Sequence, residues 1–336
     1  MMADGDNGRD RFVYVLSGES ERYARMLQLS ISTLRRLHPA AEVIVCTDAE
    51  TAGCTALWDG VRPLVDRIDV AEVEYAAGAP ASRALKTTLA LRVPRPFVFL
   101  DVDTLVVRSL PRVDEVLGEA DFGAVRDRND RMPVPDFPPI AASVSREMGW
   151  PHPTENYFNS GVMFWGDTEA ATRLSTRWHA AWRRCWQELG DHRDQPALAY
   201  AVEAERVHAR VIPDNLNALL DGEPRLARGA RVVHCFTGGG QLGSDTLMAH
   251  LLERLSETGE VDWAAIDCAV ARDDFWVAPG RTYARAVAQR HWGRAVRFGL
   301  YESLEPVKDL LRPTKRWLEA RFGRLGAGRS GVSADR

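Results

Sequence analysis

Short apolar runs alternate along the chain with longer segments in which apolar residues recur every three or four positions. The first run covers residues 12–16, a helical pattern follows it up to His38 and Pro39, and a second run covers residues 43–47. Runs of this length are typical of buried strands, and the wider spacing is typical of helices. Residues 12–47 are therefore predicted to form a βαβ unit, as at the start of many nucleotide-binding folds.

The remaining patterns extend this prediction along the chain. Strands are predicted over residues 97–107, 121–125 and 231–235, and a polar Asn-Ser-Gly turn within residues 157–166 is predicted to lead into another. Helices are predicted over residues 82–92, from residues 110–111, over residues 170–189 and from Asp194, which is a candidate N-cap. Strands alternating with helices indicate an α/β fold.

Two stretches are less regular. Residues 49–80 show no clear period. Residues 126–156 contain six prolines and mix charged with aromatic side chains. Loops of this length within a compact domain are usually functional or disordered, so the second stretch is predicted to be a long loop.

A pair of aspartates follows the apolar run at residues 97–100. Asp101 and Asp103 stand two positions apart with Val102 between them. Residues at i and i+2 of a strand point to the same side, so we expect the two carboxylates to lie on one face at the carboxyl end of a buried strand. Such a pair suits Mg²⁺ or Mn²⁺. In the alternative interpretation, one aspartate caps the next element and the other is solvated.

His234 is a candidate third ligand. It follows a short apolar run and precedes a stretch of glycines at residues 238–240. A lone histidine in such a place is more often an ordinary edge residue, but manganese accepts a mixed carboxylate and imidazole shell. Gly238 and Gly239 are then candidates to close over a phosphate.

Four motifs in this order resemble those of the GT-A glycosyltransferases of family 8, which includes glycogenin and bacterial lipopolysaccharide galactosyltransferases. The motifs are FLDVDTLVV, FNSGVMFW, Asp191-x-x-Asp194-Gln195 and VVHCFTGGG, and the resemblance covers residues 12–245. It implies a GT-A fold with a mostly parallel mixed sheet flanked by helices. We expect a catalytic domain over residues 1–270 and a basic, amphipathic helical extension over residues 271–336.

The resemblance also implies roles for individual residues. Metal ligands are Asp101, Asp103 and His234; the nucleotide and phosphates are held by Val15, Leu16, Ser17, Lys86 and Val102; the donor sugar is surrounded by Asn159, Ser160, Asp191, Asp194 and Gln195. Two interpretations without a functional role remain open. In the first, Lys86 is a solvated lysine on a helix. In the second, Asp194 is a helix cap and Gln195 is a surface glutamine.

The implied reaction transfers a sugar from a nucleotide diphosphate, expected to be UDP, to an acceptor hydroxyl with retention of configuration. No protein base is implied. One departure concerns the loop after the histidine, where the family has a Lys-Pro-Trp sequence and this chain has Gly240. Lys86, Arg83 or an arginine of the C-terminal segment are the candidates to replace that lysine at the diphosphate.

Charge is unevenly distributed. Residues 281–336 carry 13 basic and 5 acidic residues, whereas the whole chain has a net charge of −4. Apolar residues at helical spacing in this segment predict docking on an anionic membrane surface next to a glycan or lipid-linked acceptor. In the alternative, the segment packs on the acidic body. No nucleic-acid-reading motif accompanies the charge.

The remaining composition favours a cytoplasmic protein. There is no apolar run of about 18 residues, the first residues do not resemble a signal peptide, and the five cysteines include no CxxC pair. We expect a cytoplasmic enzyme of cell-envelope glycan synthesis, peripheral on the inner face of the membrane.

Two other functions remain open. The hhhhDxD pattern also opens the haloacid dehalogenase phosphohydrolase signature, but that class expects Thr or Val where this chain has Leu105, and a βαβ unit precedes the motif here. The third option is a non-catalytic module that binds sugar nucleotides or glycans.

Overall fold

A computed structural model describes residues 9–127, 139–151, 157–220, 227–235 and 246–276. Ten strands are described: β1 (Arg11–Leu16), β2 (Glu42–Asp48), β3 (Arg67–Ala71), β4 (Phe97–Leu100), β5 (Thr104–Val106), β6 (Phe122–Arg126), β7 (Phe158–Trp165), β8 (Ala209–Val211), β9 (Ala218–Leu219) and β10 (Val232–His234).

Eleven α-helices are described: α1 (Glu21–Leu37), α2 (Ala49–Gly53), α3 (Thr55–Trp58), α4 (Ala79–Thr87), α5 (Leu89–Arg92), α6 (Val113–Leu117), α7 (Pro139–Glu147), α8 (Glu169–Leu189), α9 (Gln195–Ala204), α10 (Leu247–Thr258) and α11 (Trp263–Arg272). Short 3-10 turns lie at Arg62–Leu64 and Asp214–Leu216. Among the described helices, none has both the length and the apolar character needed to cross a membrane.

The larger sheet has seven strands in the order β3-β2-β1-β4-β7-β6-β8. Strand β7 runs antiparallel to both of its neighbours, β4 and β6, and the other pairs are parallel. Helices cover both faces, with α8 and α4 packed on one and α1 on the other. The predicted α/β class with a mostly parallel mixed sheet flanked by helices is therefore confirmed.

A second sheet has three strands in the order β5-β10-β9. Strand β10 is antiparallel to β5 and parallel to β9. Helices α10 and α11 pack on this sheet through a separate apolar cluster that includes Leu251 and Ile266. The predicted strand at residues 231–235 is confirmed, but it belongs to this smaller sheet.

The helix boundaries follow from local chemistry. The Ser20 side chain accepts a hydrogen bond from the Tyr23 amide and caps α1, which ends before His38. Helix α8 begins at the Thr168 cap and ends at Gly190, whose φ of 67° is left-handed. Apolar residues at helical spacing place the indoles of Trp178 and Trp182 in the core, so α8 is held against the sheet.

The single helix predicted over residues 82–92 was wrong, because the structure has two. Helix α4 ends at Thr87, α5 begins at Leu89, and Thr88 lies between them. The Thr88 hydroxyl donates to the carbonyls of Ala84 and Leu85. Such side-chain bonds compete with the helical ladder and favour a break.

Three further expectations need correction. The Asn-Ser-Gly sequence at residues 159–161 is not a turn, since it lies inside β7, where every residue is buried. Residues 49–80 contain α2, α3 and the edge strand β3, which has mixed burial and therefore no clean alternation. The predicted loop at residues 126–156 contains α7, and the rest of it lies largely outside the described residues.

Residues 101–103 form a turn that connects the two sheets, with β4 on one side and β5 on the other. The Asp101 amide donates to the carbonyl oxygen of Gly161 at 2.8 Å, and the Cys235 amide donates to that of Asp103 at 3.0 Å. The expectation that the two aspartates share a face through strand alternation was therefore wrong. Backbone bonds to β7 and to the end of β10 fix the turn instead.

Two backbone pairs join the ends of β6 and β7. Arg126 is paired with Phe158 in the sheet, and the Asp127 amide donates to the Tyr157 carbonyl oxygen at 2.7 Å. Asp127 and Tyr157, next to the ends of β6 and β7, are thus held together.

Candidate active site and metal centre

The three predicted metal ligands come together where the two sheets meet. Asp101 and Asp103 lie in the turn after β4, and His234 ends β10, which pairs with β5. One ligand atom from each of the three residues lies within 4.8 Å of the others. Two carboxylates and an imidazole at such spacing match the donor set and reach of a manganese or magnesium shell.

His234 and Asp103 make the closest contact within this group. The His234 Nε2 atom lies 3.2 Å from Asp103 Oδ1, and the side chain of His234 is 5% exposed. The Nδ1 atom of the same ring lies 3.1 Å from Oδ1 of Asn217, which turns Nε2 toward the carboxylates. Either a proton on Nε2 or a metal ion can bridge Nε2 and the carboxylate oxygen. The residues present therefore fit a divalent cation.

The pKa values of the two aspartates are shifted in opposite directions. Burial, together with the charge of Asp103, raises the pKa of Asp101 although Lys86 opposes it. Burial also opposes ionisation of Asp103, but the facing imidazole outweighs it and lowers the pKa of Asp103. For His234, burial is outweighed by Asp103, so its pKa is raised. Negative charge thus accumulates on the Asp103 side of the group.

A buried ion-pair network adjoins the three predicted metal ligands. The Lys86 ammonium lies 3.0 Å from Asp101 Oδ2 and 3.6 Å from Asp194 Oδ2, and its side chain is only 2% exposed. Arg83, one turn earlier on α4, places Nε 3.3 Å from Asp194 Oδ1 and is 31% exposed. The interpretation of Lys86 as a solvated helix lysine is therefore wrong, because it lies between two carboxylates.

Asp194 does not cap α9 with its side chain, although it stands at the N-cap position. Its Oδ2 accepts a hydrogen bond from the Ser160 hydroxyl at 2.8 Å instead. Burial acts to raise the pKa of Asp194, but Lys86, Arg83 and this hydrogen bond outweigh it and hold the pKa below its usual range. The carboxylate is therefore ionised at neutral pH, and the interpretation as a helix cap is wrong.

The first residues of β7 and α9 lie beside this network. Gln195, also predicted from sequence, donates from Nε2 to the Phe158 carbonyl oxygen at 3.2 Å, so it is not a free surface glutamine. Asn159 is 5% exposed and donates to Asp127 Oδ1 at 3.0 Å. Because β7 is antiparallel to β4, its first residues lie beside the carboxyl end of β4.

Asp191 has a different environment. Its carboxylate accepts hydrogen bonds from the backbone and guanidinium of Arg193. Burial would raise the pKa of Asp191, but the bonds from Arg193 keep it low. The same carboxylate lines a cleft with Glu147 and His192. The structure thus groups Asp194 with the predicted metal ligands and gives Asp191 an arginine partner of its own.

The predicted nucleotide-binding residues lie at the end of β1. Val15 and Leu16 are buried, and the Ser17 hydroxyl accepts a hydrogen bond from the Gly78 amide at 3.0 Å. Val102 is half-buried and packs between apolar clusters. Gly238, Gly239 and Gly240 lie outside the described residues.

Two polar residues in this region were missed from the sequence. Asn217 is fully buried and donates to Asn159 Oδ1 at 3.0 Å, while Asp127 accepts from Asn159. Asn217 follows a 3-10 turn in a stretch without apolar periodicity. Its residue type alone carried no signal, because a buried asparagine and a loop asparagine look alike in sequence.

No protein-family profile matches the chain, and no curated protein is similar to it in sequence. Among solved structures, it is similar to the galactosyltransferase LgtC in complex with donor and acceptor sugar analogues, at 16% identity and a TM-score of 0.46 over 75% of this chain and 96% of that one. It is also similar to mouse xyloside xylosyltransferase 1, at 14% identity and a TM-score of 0.41 over 67% of this chain and 97% of that one.

A third similar structure is the bifunctional glycosyltransferase WbbM, at 13% identity and a TM-score of 0.48. The match covers 81% of this chain and 53% of that one, so this chain spans about half of that protein's length. All three proteins are named as glycosyltransferases.

Proposed function

We propose that this chain is a metal-dependent glycosyltransferase that moves a sugar from a nucleotide diphosphate, expected to be UDP, to an acceptor hydroxyl with retention of configuration. The observation that carries the proposal is the convergence of Asp101, Asp103 and His234 beside the buried pair of Lys86 and Asp194. This convergence lies near the carboxyl ends of β1 and β4, where α/β sheets bind their ligands.

Asp101, Asp103 and His234 would hold Mn²⁺ or Mg²⁺. A bound divalent cation offsets the charge that develops on a departing diphosphate. The protein supplies a fixed turn for the two aspartates and a buried imidazole, so little rearrangement is needed when the ion arrives. Val15, Leu16 and Ser17 would contact the nucleoside at the end of β1.

We assign the diphosphate contact to Arg83 rather than to Lys86. Lys86 is enclosed and already bonded to Asp101 through both carboxylate oxygens, at 3.0 and 3.1 Å. Arg83 stands one helical turn away, with about a third of its side chain exposed. Its guanidinium has several donors in a fork that suits phosphate oxygens. It would supply the positive charge that the loop at Gly240 does not.

The donor sugar would lie against Asp194, Ser160 and Gln195. An ionised Asp194 accepts hydrogen bonds from sugar hydroxyls, and Lys86 keeps it ionised although it is buried. A sugar that lacked a matching hydroxyl would leave this carboxylate short of a partner, which gives selectivity. Asn159 and Asp191 are also proposed to lie beside the donor sugar, with Asp191 and Arg193 toward the acceptor.

The basic segment at residues 281–336 is proposed to bring the enzyme to an anionic membrane surface, where a glycan or lipid-linked acceptor of the cell envelope would be met. It lies outside the described residues, and the support is its excess of basic residues at amphipathic spacing.

Calorimetric titration of UDP, GDP and ADP, with and without Mn²⁺, tests the nucleotide and the metal together. We expect UDP to bind, and to bind tightly only with Mn²⁺. Asp103→Asn should abolish this metal-dependent binding at nearly constant side-chain volume, whereas Asp114→Asn, on the exposed face of α6, should leave it unchanged. If the Asp103→Asn variant in chelator bound UDP as tightly as the wild type does with Mn²⁺, the proposed metal site would be refuted.

A further inference from the structure

Four side chains form a hydrogen-bonded chain that ends on the imidazole of His234. Asn159 Nδ2 donates to Asp127 Oδ1 at 3.0 Å, and Asn217 Nδ2 donates to Asn159 Oδ1 at 3.0 Å. Asn217 Oδ1 then faces His234 Nδ1 at 3.1 Å. The side chains of Asn159, Asn217 and His234 are at most 5% exposed, so this part of the hydrogen-bonded series is shielded from solvent.

The direction of every bond in this chain is fixed by one backbone group. The amide of Gly161 can only donate, and it points at Asn159 Oδ1 from 2.9 Å. The oxygen of Asn159 must therefore face Gly161, and its nitrogen must face the carboxylate of Asp127. Reversing the Asn159 amide would set two donors against each other and leave the carboxylate facing an oxygen.

The orientation of the Asn217 amide in turn determines which nitrogen of His234 carries a proton. Since the oxygen of Asn159 is directed at Asn217, Asn217 must present its nitrogen there and its own oxygen to the imidazole. An oxygen acceptor at Nδ1 requires a proton on Nδ1. The neutral ring is thus held in the tautomer whose Nε2 has an unshared electron pair, and Nε2 is the atom that faces Asp103.

We infer that Asn217 is a positioning residue for the metal centre, which selects the tautomer of His234 and aims its Nε2 at the ion. This inference rests on the metal part of the proposed function. Partners that bond the second nitrogen of a ligating histidine orient the ring, and their loss typically lowers metal affinity 10- to 100-fold. Asn217 makes no contact with the ion in this arrangement, so its effect passes through His234.

Two variants separate positioning from a general structural role. Asn217→Asp and Asn217→Leu both remove the donor to Asn159, but only the aspartate keeps an oxygen acceptor for His234 Nδ1. If Asn217 served packing and the Asn159 bond alone, the two variants would behave alike. Asn215→Leu is the matched control, because Asn215 is two residues away and its amide donates to the Gly229 carbonyl instead.

The experiment measures the Mn²⁺ dissociation constant of the full chain by electron paramagnetic resonance, without nucleotide. We expect Asn217→Leu to weaken Mn²⁺ binding about 10- to 100-fold, and Asn217→Asp and Asn215→Leu to stay close to the wild-type value. Equal affinities in both Asn217 variants, whether unchanged or lowered together, would overturn the inference. A wild-type chain that binds no Mn²⁺ would overturn the metal centre itself and this inference with it.

A second measurement needs no variant and so does not depend on whether Asn217→Leu folds. Long-range ¹H–¹⁵N spectra of the wild-type chain loaded with Zn²⁺, a diamagnetic ion that takes imidazole ligands, report which ring nitrogen of His234 carries the proton. A proton on Nδ1 supports the inference. A proton on Nε2, with Nδ1 bare, contradicts it.

Discussion

Gly161 lies directly against the imidazole of His234. A β-carbon at Gly161 would stand 2.1 Å from Cε1 and 2.7 Å from Nδ1 of that ring, closer than such atoms come in real structures. The ring is buried and hydrogen-bonded at Nδ1, so it has little room to retreat. The glycine of the FNSG motif thus leaves the space that is occupied by His234, which belongs to the VVHCFTGGG motif.

We therefore expect Gly161→Ala to displace His234 and weaken Mn²⁺ binding by roughly 10- to 100-fold, as for loss of an orienting partner. Isothermal calorimetry with Mn²⁺ measures this directly. Gly53→Ala is the control, because a β-carbon at Gly53 meets nothing within 4 Å. Unchanged affinity in the Gly161 variant would mean that the imidazole is not a ligand.

Removing the ammonium of Lys86 should destabilise the fold. Lys86→Met leaves Asp101 and Asp194 without their shared partner, and breaking a buried pair in this way typically costs about 3–5 kcal/mol. Urea unfolding in chelator measures the loss, with the exposed Arg92→Met as control. A bound ion would neutralise Asp101. Adding Mn²⁺ should therefore raise the free energy of unfolding of the Lys86 variant more than that of the wild type. An equal gain in both proteins would argue against an ion at Asp101.

Arg83 is predicted to determine affinity for the diphosphate. Arg83→Gln should weaken UDP binding in the presence of Mn²⁺ by about 10- to 100-fold, because a charge-assisted hydrogen bond contributes about 1.5–3 kcal/mol. Arg83→Lys should recover part of this, since it keeps the charge without the planar fork. Arg184→Gln, which removes an exposed partner of Glu188, is the control in the same calorimetric titration. UMP should be affected much less than UDP, and equal losses for both would place Arg83 away from the diphosphate.

His38 gives the fold a dependence on pH that is separate from the site. The Leu110 amide donates to His38 Nε2 at 2.9 Å, which requires an unprotonated nitrogen, and burial lowers the pKa of His38 below its ordinary value near 6.5. The unfolded chain therefore binds this proton more readily than the folded chain. Stability from His38 is complete above about pH 6.5 and falls as the pH drops toward the lower, folded-state pKa, by at most about 1.4 kcal/mol per pH unit.

The check is the free energy of unfolding at pH 7.5 and pH 5. His38→Gln keeps an acceptor that does not titrate, so this variant should lose less stability between the two pH values than the wild type. His208→Gln, at an exposed position, should lose as much as the wild type. An unchanged pH dependence in the His38 variant would assign the effect to other groups.

The sequence predicted three metal ligands that the structure brings together, but not how they are held. Asp101, Asp103 and His234 were identifiable because each follows an apolar run, and strand ends cluster at sheet edges. The turn at residues 101–103 was not, because its geometry depends on backbone bonds to Gly161 and Cys235, which are distant in the sequence.

Asn217 could not be predicted from the sequence as part of the candidate site. Its partners, Asn159 and His234, belong to different strands, and the orientation of its amide follows from a backbone group on β7. No local pattern encodes such a chain of bonds. Asp194 and Lys86 were singled out through the resemblance, yet only their burial and distances separate an ion-pair network from a helix cap and a surface lysine.

The backbone pairs at the base of the stretch between β6 and β7 have an evolutionary consequence. The Asp127 amide donates to the Tyr157 carbonyl oxygen, and Arg126 pairs with Phe158, so the ends of β6 and β7 are held together. The closure free energy of a flexible loop rises by only about 0.6 kcal/mol for each doubling of its length. Changes in chain length between β6 and β7 are therefore expected to cost least outside residues 139–150, where Val144, Met148 and Trp150 are buried in the core.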